Sequence, residues 1–352
     1  MKFKVTLLLT CLLISSLTNA QTKICDCGKD FDFLATTYIK DYSGIQDFSR
    51  HHPDYLKIID KLSKQASSTS NVQRCNQIIQ KLIRYLNNGH VKSGPTRENP
   101  IYGKLIKKSK KNEGSLNPSL KFLDAKTVLL QIKTADLSYK AILDSIISVN
   151  KERLDTTQHF IIDLRGNGGG GDAMFDALIP YVYTNPVLMY STEVWASENN
   201  IKMFENLLSN PDIPKENKEH LQKIVHEGRN NLNKFISISE NKMDTIKLET
   251  VLKSPNKVSV IIDKECKSAT EEFLLLAKQS KKTTIYGYEN SGGALDYANL
   301  NVVFTPSGFW YATVPTTRTT RLPDNPVDPG GIKPDILVDK KVKDIIEWLT
   351  QK

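Results

Sequence analysis

Beyond its first twenty residues the sequence has no stretch near the ~18 consecutive apolar residues of a membrane helix, so no span is expected there. It has no convincing internal repeat. No nucleic-acid motif accompanies its one local knot of positive charge, Lys104–Lys111, which reads as a solvated loop. Cysteine is scarce, and no His/Cys pair with matching spacing accompanies Cys25-x-Cys27, which argues against a zinc site. Nor is the composition skewed. With 39% hydrophobic, 8% aromatic and 25% charged residues, it excludes a disordered, collagen-like or coiled-coil chain. The 352 residues suggest about two domains, because single cores stop growing near ~250–300 residues.

What is present begins with an export signal. Lys2 and Lys4 precede an almost wholly apolar run, Val5 to Leu17, and Thr18-Asn19-Ala20 offers small residues before a cut at Gln21. Residues 1–20 are therefore expected to be a signal peptide, and the mature protein to be periplasmic or secreted. Ile24 before Cys25 argues against a lipoprotein signal there. Loss of two lysines and no acids takes the net charge from +9 to +7. In an oxidising compartment a disulfide from the Cys25/Cys27 pair to Cys75 is expected, with connectivity open, and Cys266 fits a buried free thiol.

Two textures follow. Residues 21–100 read as a helical N-terminal domain, from apolar residues three and four apart at Phe31, Leu34, Tyr38, at Tyr55, Ile58, Ile59, Leu62, and from Val72 to Leu86. Residues 101–352 read as an α/β domain. Residues 93–120, rich in Gly, Pro, Asn, Ser and Lys, read as a connector across this boundary, with one short strand around Ile101–Ile106. From residue 126, strand-type runs (Thr127–Lys133, His159–Leu164, Lys257–Asp263, Thr283–Tyr288) alternate with helical ones (Ser138–Arg153, Asp172–Tyr183, Ala269–Lys281), the pattern of a largely parallel sheet. Reactive groups then belong beyond the carboxyl ends of the strands. Polar helical sequence at 199–237 reads as an insertion, Val302–Val314 as a hairpin turning at Pro306-Ser307-Gly308, and Val342–Leu349 as a closing helix.

The glycine run after His159–Leu164 has three readings. Gly166, Gly168 and Gly171 formally make the G-x-G-x-x-G of a dinucleotide site, with Glu193 near the place of a ribose-binding acid. Export and the preceding strand and helix count against this. The run is otherwise a bare turn, or an oxyanion hole whose N–H groups stabilise a developing alkoxide. The third reading needs a nucleophile. Ser268 stands at a strand-to-helix switch with the Ala269 N–H beside it. Taken locally, Ser268 with Glu271 three residues on is a capping box.

The combination is more specific than its parts. Phe160-Ile161-Ile162-Asp163-Leu164-Arg165-x-Asn167-x-Gly169-Gly170, then Ser268-Ala269-x-Glu271, then Gly330-Gly331-Ile332-Lys333-Pro334-Asp335-Ile336-Leu337-Val338 resembles the C-terminal processing/tricorn-type serine peptidase family over most of 126–338. The resemblance implies an α/β fold with a ClpP/crotonase-like catalytic core, here with a small helical N-terminal domain. It implies a serine endopeptidase acting on proteins or peptides, with no metal or organic cofactor. Ser268 would be the nucleophile, and Gly169 (or its neighbour Gly170) with Ala269 the oxyanion hole. The branch with a lysine base would place it in Gly287–Ala294, where Gly293 stands instead. The tricorn branch uses a histidine in a D-G-H-T segment, which Asn88-Gly89-His90-Val91 resembles with Asn88 for Asp and Val91 for Thr. A hydroxyl needs a nearby base, and neutral imidazole serves near pH 7. His51, His52, His220 and His226 lie in polar stretches, and His159 starts a strand. Asp328 occupies the place of the family's orienting acid, while Gly89 replaces the serine that relays it, so Asp328 would reach His90 directly or through water. The 36 residues between His90 and Thr127 leave no room for a PDZ domain of ~80–100 residues. The rival on the same fold is a non-catalytic protein that binds peptides or apolar ligands.

Overall fold

The structure, a computed structural model, describes residues 25–103, 115–211, 213–237 and 239–351. The expected signal peptide and the Lys104–Lys111 knot lie outside them.

Four helices come first: α1 (Cys27–Asp41), α2 (Ile45–His51), α3 (Tyr55–Ser67) and α4 (Val72–Leu86). Asp26 caps α1 by accepting from Lys29 N–H, and Asn71 caps α4 by accepting from Arg74 N–H. Helix α4 buries Cys75, Ile78, Ile79, Leu82 and Leu86 on one stripe. It stops at Asn87, whose φ of 45° is left-handed and turns the chain at once toward His90. A Cys27–Cys75 disulfide staples α1 to α4; Cys25 and Cys266 are buried free thiols.

Next come β1 (Lys92–Pro95), β2 (Ser119–Phe122), β3 (Thr127–Gln131), α5 (Lys140–Val149), α6 (Lys151–Leu154) and β4 (His159–Asp163). After the glycine run a 3-10 segment, Asp172–Leu178, leads to α7 (Ile179–Val182), β5 (Val187–Tyr190) and β6 (Thr192–Trp195). The chain continues through α8 (Glu198–Leu208), α9 (Lys215–Asn230), β7 (Phe235–Ser237), β8 (Met243–Ile246), β9 (Lys257–Ile262), α10 (Ala269–Ala277) and β10 (Thr283–Gly287). It ends with β11 (Tyr297–Phe304), β12 (Trp310–Thr319), β13 (Ile336–Leu337) and α11 (Ile345–Thr350).

The central sheet runs β13-β10-β9-β4-β3-β2, parallel except for the edge strand β2. Its central strands β3, β4 and β9 are buried on both faces, which explains their largely apolar runs. Val128, Leu130, Phe160 and Ile162 face α5, the 3-10 segment and α10, whereas Leu129, Ile161 and Ile261 face α11. A second, antiparallel sheet has β12 at its centre, flanked by β1, β6 and β11, with β7 beyond β6. The helical unit packs on it through Phe309, Trp310, Ala312 and Val314.

Several sequence expectations need correcting. The helix expected over Ser138–Arg153 breaks at Asn150, whose side chain accepts the role of a stop by donating to Ile146 C=O. Asp172–Tyr183 is 3-10 before it is α. The polar insertion ends in a strand, because Phe235 and Ile236 pair with Trp195 and Val194. The closing helix starts at Ile345, where Asp344 caps it. The strand expected at Ile101–Ile106 lies partly outside the described residues, and residues 101–103 are turn and helix.

Candidate active site

Strands β4 and β9 are neighbours in register, with Asp163 opposite Ile261, so the loops after them emerge side by side. One is the glycine run; the other carries Ser268.

Ser268 has φ 56° and ψ −126°, a conformation side-chained residues rarely adopt and one that costs about 1–3 kcal/mol. Its surroundings hold it there. The flanking Lys267 N–H and Thr270 hydroxyl both donate to Asn167 C=O at 3.2 Å, and Gly292 N–H donates to Cys266 C=O at 2.8 Å. Glu271 closes back on Ser268 N–H at 3.1 Å, as in a capping box. The Glu271 N–H also goes to Ser268 C=O at 2.7 Å.

In the facing loop, Asp163 grips Arg165 with two bonds of 2.8 Å. Buried Asn167 staples three segments: it donates to Ile132 C=O, accepts from Gly169 N–H at 3.1 Å, and offers its carbonyl to the Ser268 loop. Gly169, at φ +92°, lies against that loop. A Cβ there would sit 2.6 Å from Lys267 O and 2.7 Å from Ser268 Cβ, so no side chain fits. The Gly169 N–H is taken by Asn167, and the amides of Gly168, Gly170 and Ala269 have no hydrogen-bond partner among the described residues; of these, Gly170 and Ala269 adjoin Gly169 and Ser268.

His90 is buried on the turn after α4. Its Nδ1 is 2.5 Å from Tyr297 C=O, its N–H donates to Asn88 Oδ1, and its carbonyl accepts from the Thr313 hydroxyl. An acceptor at Nδ1 places the ring proton there and leaves Nε2 as the basic nitrogen. Burial lowers the His90 pKa below its ordinary value; the Tyr297 bond opposes this and Lys92 adds to it. Asp328 does not bond the imidazole. It accepts from Asn88 Nδ2 at 3.0 Å and from the N–H groups of Leu295 and Asp296, so it acts on the backbone that carries His90. Burial, reinforced by Asp296, pushes its carboxyl up to about 6.

One buried carboxylate joins the two halves. Glu271 Oε2 accepts from Ser268 N–H and from Ala294 N–H at 2.9 Å, while Oε1 accepts from the Ser291 hydroxyl and Gly293 N–H. Gly89 in turn abuts Ala294, where a Cβ on Gly89 would lie 2.4 Å from Ala294 Cβ. The segment before His90 and the start of the Ser268 helix therefore meet on either side of Ala294.

Gly293, at φ +63°, cannot carry a lysine. A Cβ there would be 2.4 Å from Pro329 O. Sequence reasoning took Glu271 as a helix cap and as part of the Ser268-Ala269-x-Glu271 motif; its three-residue spacing gave no hint of the bonds to 291–294. It missed Tyr297 altogether, because a backbone carbonyl leaves no residue signature. His51, His52, His220 and His226 are exposed, and His159 bonds Ser259 at 2.8 Å at the amino end of β4. Glu193 is ion-paired to Arg318 at 2.8 Å in the antiparallel sheet, and the glycine run opens onto a 3-10 segment, so the dinucleotide arrangement is not formed. Among the described residues no group of three or more His, Cys, Asp or Glu side chains could hold a metal ion.

Comparison with known proteins gives the family and the fold. The model of peptidase family S41 matches residues 126–338. Among solved structures, mature CPAF in complex with lactacystin aligns at TM-score 0.59 and 11% identity, covering 88% of this chain and 93% of that one. A candidate peptidase from Parabacteroides merdae aligns at TM-score 0.56 and 14% identity, covering 92% of each chain. A lipoprotein from Streptococcus agalactiae aligns at TM-score 0.53 and 14% identity, covering 93% and 96%. At such identities these likenesses concern the fold. No curated protein matches the chain.

Proposed function

From its membership of peptidase family S41, which makes the chain a serine-type peptidase, we propose an endopeptidase that works through Ser268 and His90. Ser268 Oγ attacks the peptide carbonyl. His90 Nε2 takes the hydroxyl proton and returns it to the leaving amine, while Tyr297 C=O holds the protonated Nδ1. The N–H groups of Gly170 and Ala269 stabilise the oxyanion, with Gly169 giving the close approach. Asp328 positions the His90 turn through Asn88. Water later attacks the acyl-serine, again with His90 as base.

The observation that carries this reading is the Glu271 carboxylate, which fixes the Ser268 loop and the Ala294 segment that abuts Gly89. Export is the second part of the proposal. Residues 1–20 act as a signal and the mature chain works in the periplasm or outside the cell; the Cys27–Cys75 disulfide suits such a compartment. Among the described residues no helix is long and apolar enough to cross a membrane.

The test is cleavage of unfolded casein by the mature protein beside Ser268→Ala and His90→Ala, with folding checked by thermal melts. Both variants should lose on the order of 10³-fold or more in kcat/KM. Loss in Ser268→Ala alone would keep the nucleophile and remove His90 as base. A wild type that neither cleaves casein nor reacts at Ser268 with a fluorophosphonate would leave a binding protein.

A further inference from the structure

A cavity of about 680 Å³ lies between the helical unit and the loop that carries Asp328. Ser268 and His90 do not line it, but the groups that hold His90 do: Asn88, Tyr297 and Asp328. It is thus a rear chamber, behind the base. The rings of Tyr42, Phe48 and Tyr297 and a set of prolines give it an apolar wall. Tyr42 and Tyr297 meet edge to face at 5.7 Å.

The charges on that wall are unequal. Asp47 is paired with Arg50 and accepts from the Tyr297 hydroxyl at 2.6 Å. Asp296 is paired with Arg321 at 2.8 Å and takes the N–H groups of Val327 and Asp328. Asp328 has three hydrogen-bond donors and no cationic partner among the described residues. Tyr42 is 3% exposed, and its hydroxyl has no hydrogen-bond partner among the described residues. An unneutralised carboxylate and an unused phenol oxygen, beside two aromatic rings, make the combination that recognises an ammonium group by ion pairing, hydrogen bonding and cation–π attraction. Leu86, Leu322 and the prolines suit a hydrocarbon stem, while Arg50, His51 and His52 line the wall as its basic groups.

We propose that this chamber binds an organic ammonium group on an apolar stem, with Asp328 as its counter-ion and Tyr42 and Tyr297 as its walls. The occupant is a free amine or a lysine side chain of a peptide; the chemistry is shared. Binding fixes the Asp328–Asn88 contact that carries the His90 turn, so an occupied chamber steadies the base. That consequence rests on the role given to His90, whereas the binding itself does not.

Isothermal calorimetry on the mature Ser268→Ala chain separates the two, since nothing is turned over. Benzylamine should bind saturably at one site, and benzyl alcohol at least tenfold more weakly. Asp328→Asn should abolish benzylamine binding. Tyr42→Phe, which removes one oxygen and keeps the ring, should weaken it several-fold and serves if Asp328→Asn does not fold. N-acetyl-lysine amide binding as tightly as benzylamine supports a peptide side chain as the occupant; benzylamine binding alone supports a free amine. Benzyl alcohol binding as tightly as benzylamine, no saturable binding of benzylamine, or full affinity in the folded variants would overturn the proposal.

Discussion

The two halves of the candidate site are built differently. The Ser268 half stands on loops that leave adjacent parallel strands, and its partners are close in the fold and largely backbone: Asn167 C=O, Gly169, Cys266 C=O. The His90 half hangs on a turn after α4. It is held by Tyr297, 207 residues away, and by Asp328 through Asn88, 240 residues away. The first half is made by the local consequences of a sheet. The second exists only when the helical unit, the β11 strand and the 328 loop have docked on one another. The proposed nucleophile and oxyanion amides should therefore keep their places under perturbations that displace the proposed base.

The largest effect should come where the halves meet. Glu271→Ala leaves the Ser291 hydroxyl and the Gly293, Ala294 and Ser268 N–H groups without an acceptor in a buried place. Each buried donor left unsatisfied costs about 1–3 kcal/mol, so a loss of several kcal/mol is expected. Thermal and denaturant melts should show a loss of this size, with casein cleavage falling in parallel. A melt within 1 kcal/mol of wild type would mean the two halves are held elsewhere. Next in size is the staple of the helical unit. The Cys27–Cys75 bond spans 48 residues, and Cys75→Ala should cost up to about 4 kcal/mol by loop-closure entropy. The comparison sharpens here: fluorophosphonate labelling at Ser268 needs the same base and should fall together with casein cleavage, although the Ser268 loop itself is untouched.

A smaller, chemical effect is the pH profile. Burial lowers the His90 pKa below the ordinary ~6.5, so the neutral imidazole persists into mildly acidic solution. The acid limb of kcat/KM should have its midpoint below 6.5, and Lys92→Ala, which removes a nearby positive charge, should move it upward by less than about one unit. A limb at or above 7 would exclude His90 as the titrating base.

The unequal construction also decides what a single sequence discloses. The parallel sheet was legible because two-sided burial writes nearly continuous apolar runs such as Phe160–Ile162 and Val260–Ile262. The Ser268 and glycine segments were legible because each needs particular residues at fixed short spacing: glycine at 169, where no Cβ fits, and Asn167 to staple the loops. The antiparallel sheet was legible only in its hairpin. Strands β6 and β7 are short, half exposed and broken by a helical pair, so they write no clear alternation. On the base's side His90 could be picked out, but its support could not. Asp328 was placed near it and proves to bond Asn88, the very position that departs from the family pattern. The acceptor at Nδ1 is a carbonyl that any residue at 297 would supply.

The smallest predicted effect lies on the Ser268 side, one turn into α10. Burial pushes the Glu272 carboxyl up to about 7, with Asp172 and Asp296 adding to the shift and Arg321 opposing it. Since an unfolded glutamate titrates near 4.5, the folded protein binds this proton more tightly than the unfolded chain. Stability is then helped by the proton at low pH, declines as pH rises from about 4.5, and bears the full penalty only above about 7. Glu272→Gln removes the charge and keeps the shape. The variant should match the wild type near pH 5 and be more stable by about 1–2 kcal/mol at pH 8, less than the full shift implies, because Arg321 then loses a neighbouring anion. Melts of the two proteins at pH 5 and pH 8 measure the difference. A variant less stable at pH 8 would show that Arg321, whose Nη1 lies 3.7 Å from Glu272, needs this carboxylate more than the buried helix resents it.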